Sequence, residues 1–502
     1  MTQGKVLPKP DVVVKRPAVA APPAPAPPAS ETGPPEAAGT EAARSDVHAL
    51  ADAGKSVAVE PAQVSTRNAA FDRSALFVTR IAPVTGGDEA SPVKLLRPAD
   101  WLRGVVDKKT PATALERAHQ AFEQRLLFSN FTSEKLTELT KILEDQLGAA
   151  PNDAVRFELA TVLMQNKPAP ATLTRARGLL DAALAGHELP EDLKRSAREV
   201  RDNVVDMLAT PKKSDDKTLF QANWGVHNRC PLVCKGCYNV FNDKTMSLDE
   251  CKKGLDKLKQ AGVQELVVSG GDPLVWPDIV AFVEHAHALG LRVGIDSTGY
   301  TLTRELAEKL AGKVAYIGLP LDGVDQQTVE RFRKGKHDLL EKVVAGLKLC
   351  GELGIPAKVN TVVHQGNIDQ LEKLGELVEQ FPAVKEWGWS VFQWWELRAP
   401  EALKREMAVD DTRYDVVTAK LAQDHPGLDI WAGRVDKRAR SYFFVSANGE
   451  VYTFGGTATI STIIMGDLKT DDVKHIIDSP ALRADSGKLA PSFRPTAGDT
   501  HG

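Results

Sequence analysis

The sequence predicts an α/β protein: a partial (β/α)6 barrel, preceded by an all-α helical domain and a disordered Pro/Ala-rich N-terminal tail. Three observations predict it. Short apolar runs alternate with helix-length patterns across residues 217–400; helical patterning fills 100–210; and ten of the 31 prolines fall before residue 36. The first aromatic residue is Phe71. A segment with nothing large to bury cannot offset the entropy of ordering itself, so residues 1–70 are expected to stay disordered. Residues 71–99 mix short apolar runs with Gly86-Gly87 and form an unassigned connector.

From residue 100 to 210, Thr113–Leu147, Ala154–Gln165, Thr172–Ala185 and Pro190–Leu208 are predicted helices with short connections. The stretch around Phe157–Gly186 resembles tetratricopeptide-type helix pairs, but no second copy falls in register, so a plain helical domain is preferred. Pro211–Asp216 is a linker. Strands are then expected at Leu219–Val226, Glu265–Ser269, Arg292–Asp296, Val314–Leu319, Ala357–Val363 and Trp387–Phe392. Between them lie the helices Ser247–Gly262, which opens with the capping box Ser247/Glu250, Pro277–Leu289, Thr303–Leu310, Asp338–Leu353 and Ile368–Phe381. Strands alternating with helices give right-handed βα units around a parallel sheet, whose working loops follow the strand C-termini. Residues 401–490 form a C-terminal extension with a hairpin over Ser441–Phe454, turning on the two residues Asn448-Gly449. Residues 491–502 are expected to form a second disordered tail.

Charge excludes several partners. With 63 basic and 67 acidic residues and a formal net charge of −4, nothing argues for nucleic acid or an anionic membrane. No apolar run approaches the roughly 18 residues that span a bilayer. Only Val12–Val14 precede Lys15 as an apolar stretch, too short for a secretory signal. Five cysteines, an odd number in a long chain, exclude a disulfide scaffold and favour a reducing, cytoplasmic setting.

Three of those cysteines, Cys230, Cys234 and Cys237, stand in one octapeptide with C-x3-C-x2-C spacing, directly after the first strand. At about 1% cysteine such a match is expected by chance on the order of 5 × 10⁻⁴ times. Thiolates are the usual ligands of iron–sulfur clusters. The motif resembles that of the radical S-adenosylmethionine (SAM) superfamily, and the resemblance covers about residues 218–400. It implies one [4Fe–4S] cluster on the three cysteines and SAM chelated at the open iron. One-electron reduction then cleaves SAM to a 5′-deoxyadenosyl radical that abstracts hydrogen from a substrate. It also implies an electron donor such as flavodoxin or ferredoxin. Matching motifs follow in order. SGGDP (Ser269–Pro273) resembles the family's Gly-Gly-Glu-Pro and gives Gly270, Gly271 and Asp272 as SAM-binding residues. DSTGY (Asp296–Tyr300) gives Ser297 and Thr298, and KVNTVV gives Asn360. LPLDG (Leu319–Gly323) carries Pro320 where relatives have Ser. Gly236 stands before the third cysteine where relatives place an aromatic residue or His, and Tyr238 follows it as a further cofactor contact. The C-terminal extension resembles the twitch or SPASM extensions of the superfamily without their cluster cysteines.

Each signal has a plainer reading. The cysteine loop could bind structural zinc with His227 as fourth ligand, making the chain a non-catalytic helical-repeat adaptor. Cys251 and Cys350 share helix stripes with leucines and valines and are expected in the core. Trp387, Trp389, Phe392, Trp394 and Trp395 are either core packing or an apolar wall that excludes water from a reactive site. Glu396, Arg398, His364 and Gln365 follow strand ends and are candidates for holding a polar substrate, and Arg331–His337 for binding phosphate or carboxylate. The substrate is expected to be a peptide or protein recruited by the helical domain, with a small polar metabolite, sugar or nucleotide as the alternative.

Overall fold

The computed structural model describes residues 132–149, 151–209, 220–240, 244–397, 401–456 and 461–483. Both expected tails, the 71–99 connector, the Pro211–Asp216 linker, the first half of the Thr113–Leu147 helix and Arg398 lie outside them.

Four helices come first: α1 (Ser133–Ala149), α2 (Asp153–Gln165), α3 (Pro170–Ala185) and α4 (Glu191–Ala209). Consecutive helices pack on one another. Asn152 caps α2 by accepting from the Val155 amide at 2.8 Å. Eleven of the thirteen α2 residues are buried, so this helix is covered on nearly all sides rather than along one stripe.

The barrel strands follow as β1 (Gln221–Gly225), β3 (Glu265–Ser269), β4 (Arg292–Asp296), β5 (Tyr316–Pro320), β7 (Ala357–Val363) and β8 (Trp389–Gln393), hydrogen-bonded in that order and all parallel. All five residues of β1, β3 and β5 are buried, as a parallel sheet covered on both faces requires. Between them run α5 (Leu248–Gln260), α6 (Ile279–Ala288), α7 (Arg304–Leu310), α8 (Gln326–Phe332), α9 (Leu339–Glu352) and α10 (Leu371–Val378). The Ser247/Glu250 capping box forms with both reciprocal bonds. Helix α8 was not among the predicted elements; its seven residues are too few to show a period.

The C-terminal extension does not stand apart from the barrel. After α11 (Glu401–Met407) and α12 (Asp411–Asp424), β9 (Ile430–Gly433) pairs parallel with β8. After α13 (Val435–Arg438), β10 (Phe444–Val445) pairs parallel with β1 at the opposite edge, and β11 (Glu450–Thr453) and β12 (Ile463–Asp467) add antiparallel strands beyond it. The chain finishes its described part with α14 (Val473–Ile477). The result is one ten-stranded sheet. The expected hairpin is present, but its turn is not the two-residue Asn448-Gly449 type. The Gly449 amide donates to the Ser446 carbonyl at 2.9 Å, and Gly449 takes φ +93°, so Ala447 and Asn448 are the central residues and the glycine forms the left-handed step after them.

Helices α1–α4 and the barrel form one compact unit. The amide of Lys167, just past α2, donates to Ile464 of β12 at 2.7 Å, Gln165 Nε2 donates to the Thr462 carbonyl at 2.9 Å, and the Ser133 amide donates to Glu450 of β11 at 2.6 Å.

Candidate active site

The cysteine loop leaves the C-terminal end of β1 and is fixed to its neighbours by backbone bonds. The two-residue strand β2 (Val233–Cys234) pairs antiparallel with β6 (Arg333–Lys334), setting Cys234 opposite Arg333. Against the β3 end, the Gly271 amide donates to the His227 carbonyl at 2.8 Å and the Asp272 amide to the Arg229 carbonyl at 2.7 Å. His227 locks the same junction. Its Nδ1 accepts from the Arg229 amide at 2.9 Å, so Nε2 carries the proton and donates to the Asp272 carbonyl at 2.6 Å. With both ring nitrogens used, His227 is not a fourth ligand. Nor, among the described residues, do three His, Cys, Asp or Glu side chains close on one ion-sized point. The zinc reading therefore finds no support in this geometry.

Cys230, Cys234 and Cys237 line one cavity with about 1500 Å³ of empty volume, part of it open to solvent. Burial pushes the Cys230 thiol well up and the Cys234 thiol up to about 12; neighbouring cysteines add to both, while Arg333 opposes the rise at Cys234. The Leu232 amide donates to Cys230 Sγ at 3.5 Å, and Arg333 Nη1 to Cys234 Sγ at 3.8 Å. Three neighbouring thiols, two of them held neutral by burial and each of those two with a donor aimed at its sulfur, fit the ligand set of a cluster.

The other predicted cofactor residues divide. Tyr238, Gly270, Gly271, Ser297, Thr298 and Asn360 all line this cavity. Asn360 Nδ2 donates to Asp296 at 3.0 Å, while its buried Oδ1 has no protein partner and is left to accept from a bound molecule. Asp272 does not line the cavity. Its fully buried carboxylate accepts from the Leu274 amide at 3.1 Å, from Ser297 Oγ at 2.7 Å and from Thr298 Oγ1. One methylene shorter than the Glu of relatives, it stays behind the loop and ties the β3 end to the β4 end. Ser297 and Thr298 accordingly spend their hydroxyl protons on Asp272 and offer only lone pairs elsewhere.

Gly236 has φ +78°, and a Cβ there would lie 3.1 Å from Trp394 Nε1, which itself donates to the Lys235 carbonyl at 3.1 Å. Trp394 occupies the room an aromatic side chain at 236 would need. With Phe392 and Trp395 it makes the aromatic wall anticipated after β8, whereas Trp389 is buried in the core and donates to Thr361 at 2.8 Å. Cys251 and Cys350 are core residues, as expected. His364 and Gln365 lie off the cavity: His364 Nδ1 accepts from the Gly366 amide at 3.0 Å, and Gln365 accepts from Arg413. Glu396 pairs with Lys404 at 3.1 Å. From the Arg331–His337 run, Phe332 and Arg333 line the cavity, and Arg333 pairs with Asp322.

Sequence reasoning missed Asp296, Arg438, Tyr442, Phe444 and Phe454, which also line the cavity. Burial holds the Asp296 carboxyl above its ordinary value, against the pull of Lys358 and the Asn360 bond. The other four come from the extension, where no motif marks them.

A parallel sheet whose strand-end loops carry three thiols on one glycine-lined cavity has the donor set that iron–sulfur proteins use. Residues 224–378 match the family model of the radical SAM superfamily, and the chain carries a radical SAM domain. It is 30% identical to an AdoMet-dependent heme synthase of Methanosarcina barkeri over 32% of this chain and 47% of that protein. It is 28% identical to a PqqA peptide cyclase of Bradyrhizobium diazoefficiens over 45% of this chain and 64% of that protein. The chain thus spans about half to two-thirds of the length of these relatives. Among solved structures, Streptococcus suis SuiB bound to precursor peptide SuiA aligns over 65% of this chain and 81% of its own, at 14% identity and a TM-score of 0.41. The family uses a [4Fe–4S] cluster and SAM, and its members similar to this chain are enzymes.

Proposed function

We propose that the chain is a radical SAM enzyme acting on a peptide or protein, with Cys230, Cys234 and Cys237 holding its one cluster. When bound, the cluster and SAM supply the 5′-deoxyadenosyl radical that abstracts hydrogen from the substrate. The chain's own residues hold and shield. Gly270 and Gly271 leave room for the cysteine-loop backbone, since a Cβ there would lie 2.7 Å from the His227 carbonyl oxygen and 1.9 Å from that of Arg229; Asn360 Oδ1 accepts from a bound ligand, and Phe392, Trp394 and Trp395 keep water from the reacting atoms. The observation that carries the reading is the meeting of the three-thiol loop, the glycine pair and the aromatic wall in one cavity. The peptide class is supported by likeness to PqqA peptide cyclases.

Anaerobically reconstituted protein is expected to be brown, with about four irons per chain and an absorbance shoulder near 400 nm. On reduction with SAM it should form 5′-deoxyadenosine. Colourless protein with one zinc, or nucleoside formation no greater than that of Cys234→Ala, would overturn the proposal.

A further inference from the structure

Two other arginines with buried or nearly buried side chains have acidic partners: Arg333 pairs with Asp322 and Arg440 with Asp206. Arg438 does not. It ends α13, is only 9% exposed, and among the described residues no carboxylate pairs with it. Its Nε donates to the Arg434 carbonyl at 3.3 Å and Nη2 to the Gln393 carbonyl, and Tyr442 is a favourable electrostatic neighbour. The guanidinium carbon lies 5.3 Å from the Phe392 ring centre and 4.9 Å from that of Trp395. Neutral carbonyls, a phenol and ring faces soften the burial of a full charge without neutralising it, and a buried ion without a counter-ion is costly. Burial accordingly pulls its pKa below the ordinary arginine value.

Arg438 also lines the cavity that holds the three cysteines, beside Tyr442, Phe444 and Phe454 of the extension and Tyr238 of the cysteine loop. A brace between α13 and the β8 end needs only neutral donors. A guanidinium fork kept in an aromatic setting and turned to a cavity matches a planar anion.

We infer that Arg438 is the substrate-anchoring residue of this site and that the substrate carries a carboxylate beside a flat apolar body. This rests on the radical SAM reading for the reaction, but it specifies what enters. The carboxylate can belong to a free small acid or to an acidic side chain of a peptide, and the guanidinium meets the same group in both.

Two isosteric acid/amide pairs test it by equilibrium binding to the reconstituted protein in a buffer free of carboxylate and phosphate. The first is indole-3-acetate against indole-3-acetamide. The second is the blocked peptide Ala-Trp-Glu-Ala against Ala-Trp-Gln-Ala. The acid of at least one pair should bind tenfold or more tighter than its amide, and Arg438→Gln should reduce that preference below threefold. The pair that discriminates identifies the source of the carboxylate. Equal or unmeasurable binding of acid and amide to wild type, or a preference that survives in Arg438→Gln, overturns the assignment. The wild-type comparison stands even if the variant does not fold. Iron content and SAM binding of the same wild-type samples report separately on the cofactor reading: protein that takes up neither refutes that reading, whatever the acids do.

Discussion

Asp272 stands where the family resemblance places a cofactor ligand, and the structure gives it a different task. Removing its carboxylate in Asp272→Ala strands three donors: the Leu274 amide, the Thr298 hydroxyl and the Ser297 hydroxyl. Thr298 and Leu274 are 7% and 5% exposed, whereas Ser297 borders the cavity and can turn to water. At about 1–3 kcal/mol for each buried group left unpaired, the two buried losses and the third partial one come to about 3–5 kcal/mol. Asp272→Asn keeps the shape and an acceptor oxygen and should cost about 1–2 kcal/mol. Asp272→Glu, which restores the family's residue, should also destabilise, by about 1–3 kcal/mol, because the extra methylene enters a fully buried site. Denaturant unfolding of the metal-free protein gives these differences directly, and SAM binding to the reconstituted protein gives the other half. If Asp272→Ala unfolds like wild type and only SAM affinity falls, Asp272 is a direct ligand and the strut argument is refuted.

Three further outcomes follow from named contacts. Burial pulls the His364 pKa down to about 4, with Asp322 and Glu406 opposing and Arg331 and Lys235 assisting. The unfolded chain therefore takes up this proton first, so stability is full above about pH 6.5 and falls as the pH drops toward 4. Between pH 7 and pH 5 wild type should lose about 2 kcal/mol more than His364→Asn, which keeps an acceptor for the Gly366 amide; parallel slopes in denaturant unfolding would contradict this. In Gly271→Ala the new Cβ would lie 1.9 Å from the Arg229 carbonyl oxygen, so the loops after β1 and β3 must part. Iron retention on a desalting column should drop at least as far as in Cys230→Ala. Cys251→Ala and Cys350→Ala should keep full iron and cost on the order of 1 kcal/mol in unfolding, since each thiol lies in the apolar core.

The six barrel strands were legible because a buried parallel strand needs a continuous apolar run, and runs such as Glu265–Ser269 and Arg292–Asp296 end where hydrogen bonding ends. The cysteine triplet was legible because the ligands are neighbours in sequence. Arg438 was not: what sets it apart is that among the described residues no carboxylate pairs with it, which is a property of the packed structure. The setting of Asp272 was hidden for a related reason. The motif gives its position, but only the packed loops show that Ser297 and Thr298, on the next strand's end, capture the carboxylate first. The attachment of β9 and β10 to the two edges of the barrel was equally hidden, since a two-residue strand such as Phe444–Val445 carries no period.

The helical segment acquires a role from the same geometry. One wall of the cavity, with Arg438, Tyr442, Phe444 and Phe454, belongs to the extension, whose outer strands β11 and β12 receive bonds from Ser133 and Lys167, with Gln165 bonding Thr462 just before β12. Asp206 of α4 pairs with Arg440, two residues beyond Arg438, and the Arg440 guanidinium also donates to the Pro480 and Ala481 carbonyls. Helices α1–α4 therefore support, from behind, the wall that would meet the substrate. Removing residues 1–210 would uncover the β11–β12 hairpin and leave Arg440 without its carboxylate, so the cavity would suffer whether or not the helices recruit a peptide. Recruitment is isolated only by substitutions on solvent-facing positions of these helices, such as Arg177 and Asp181 on α3, whose pairing at 3.6 Å is half exposed and contributes little to stability.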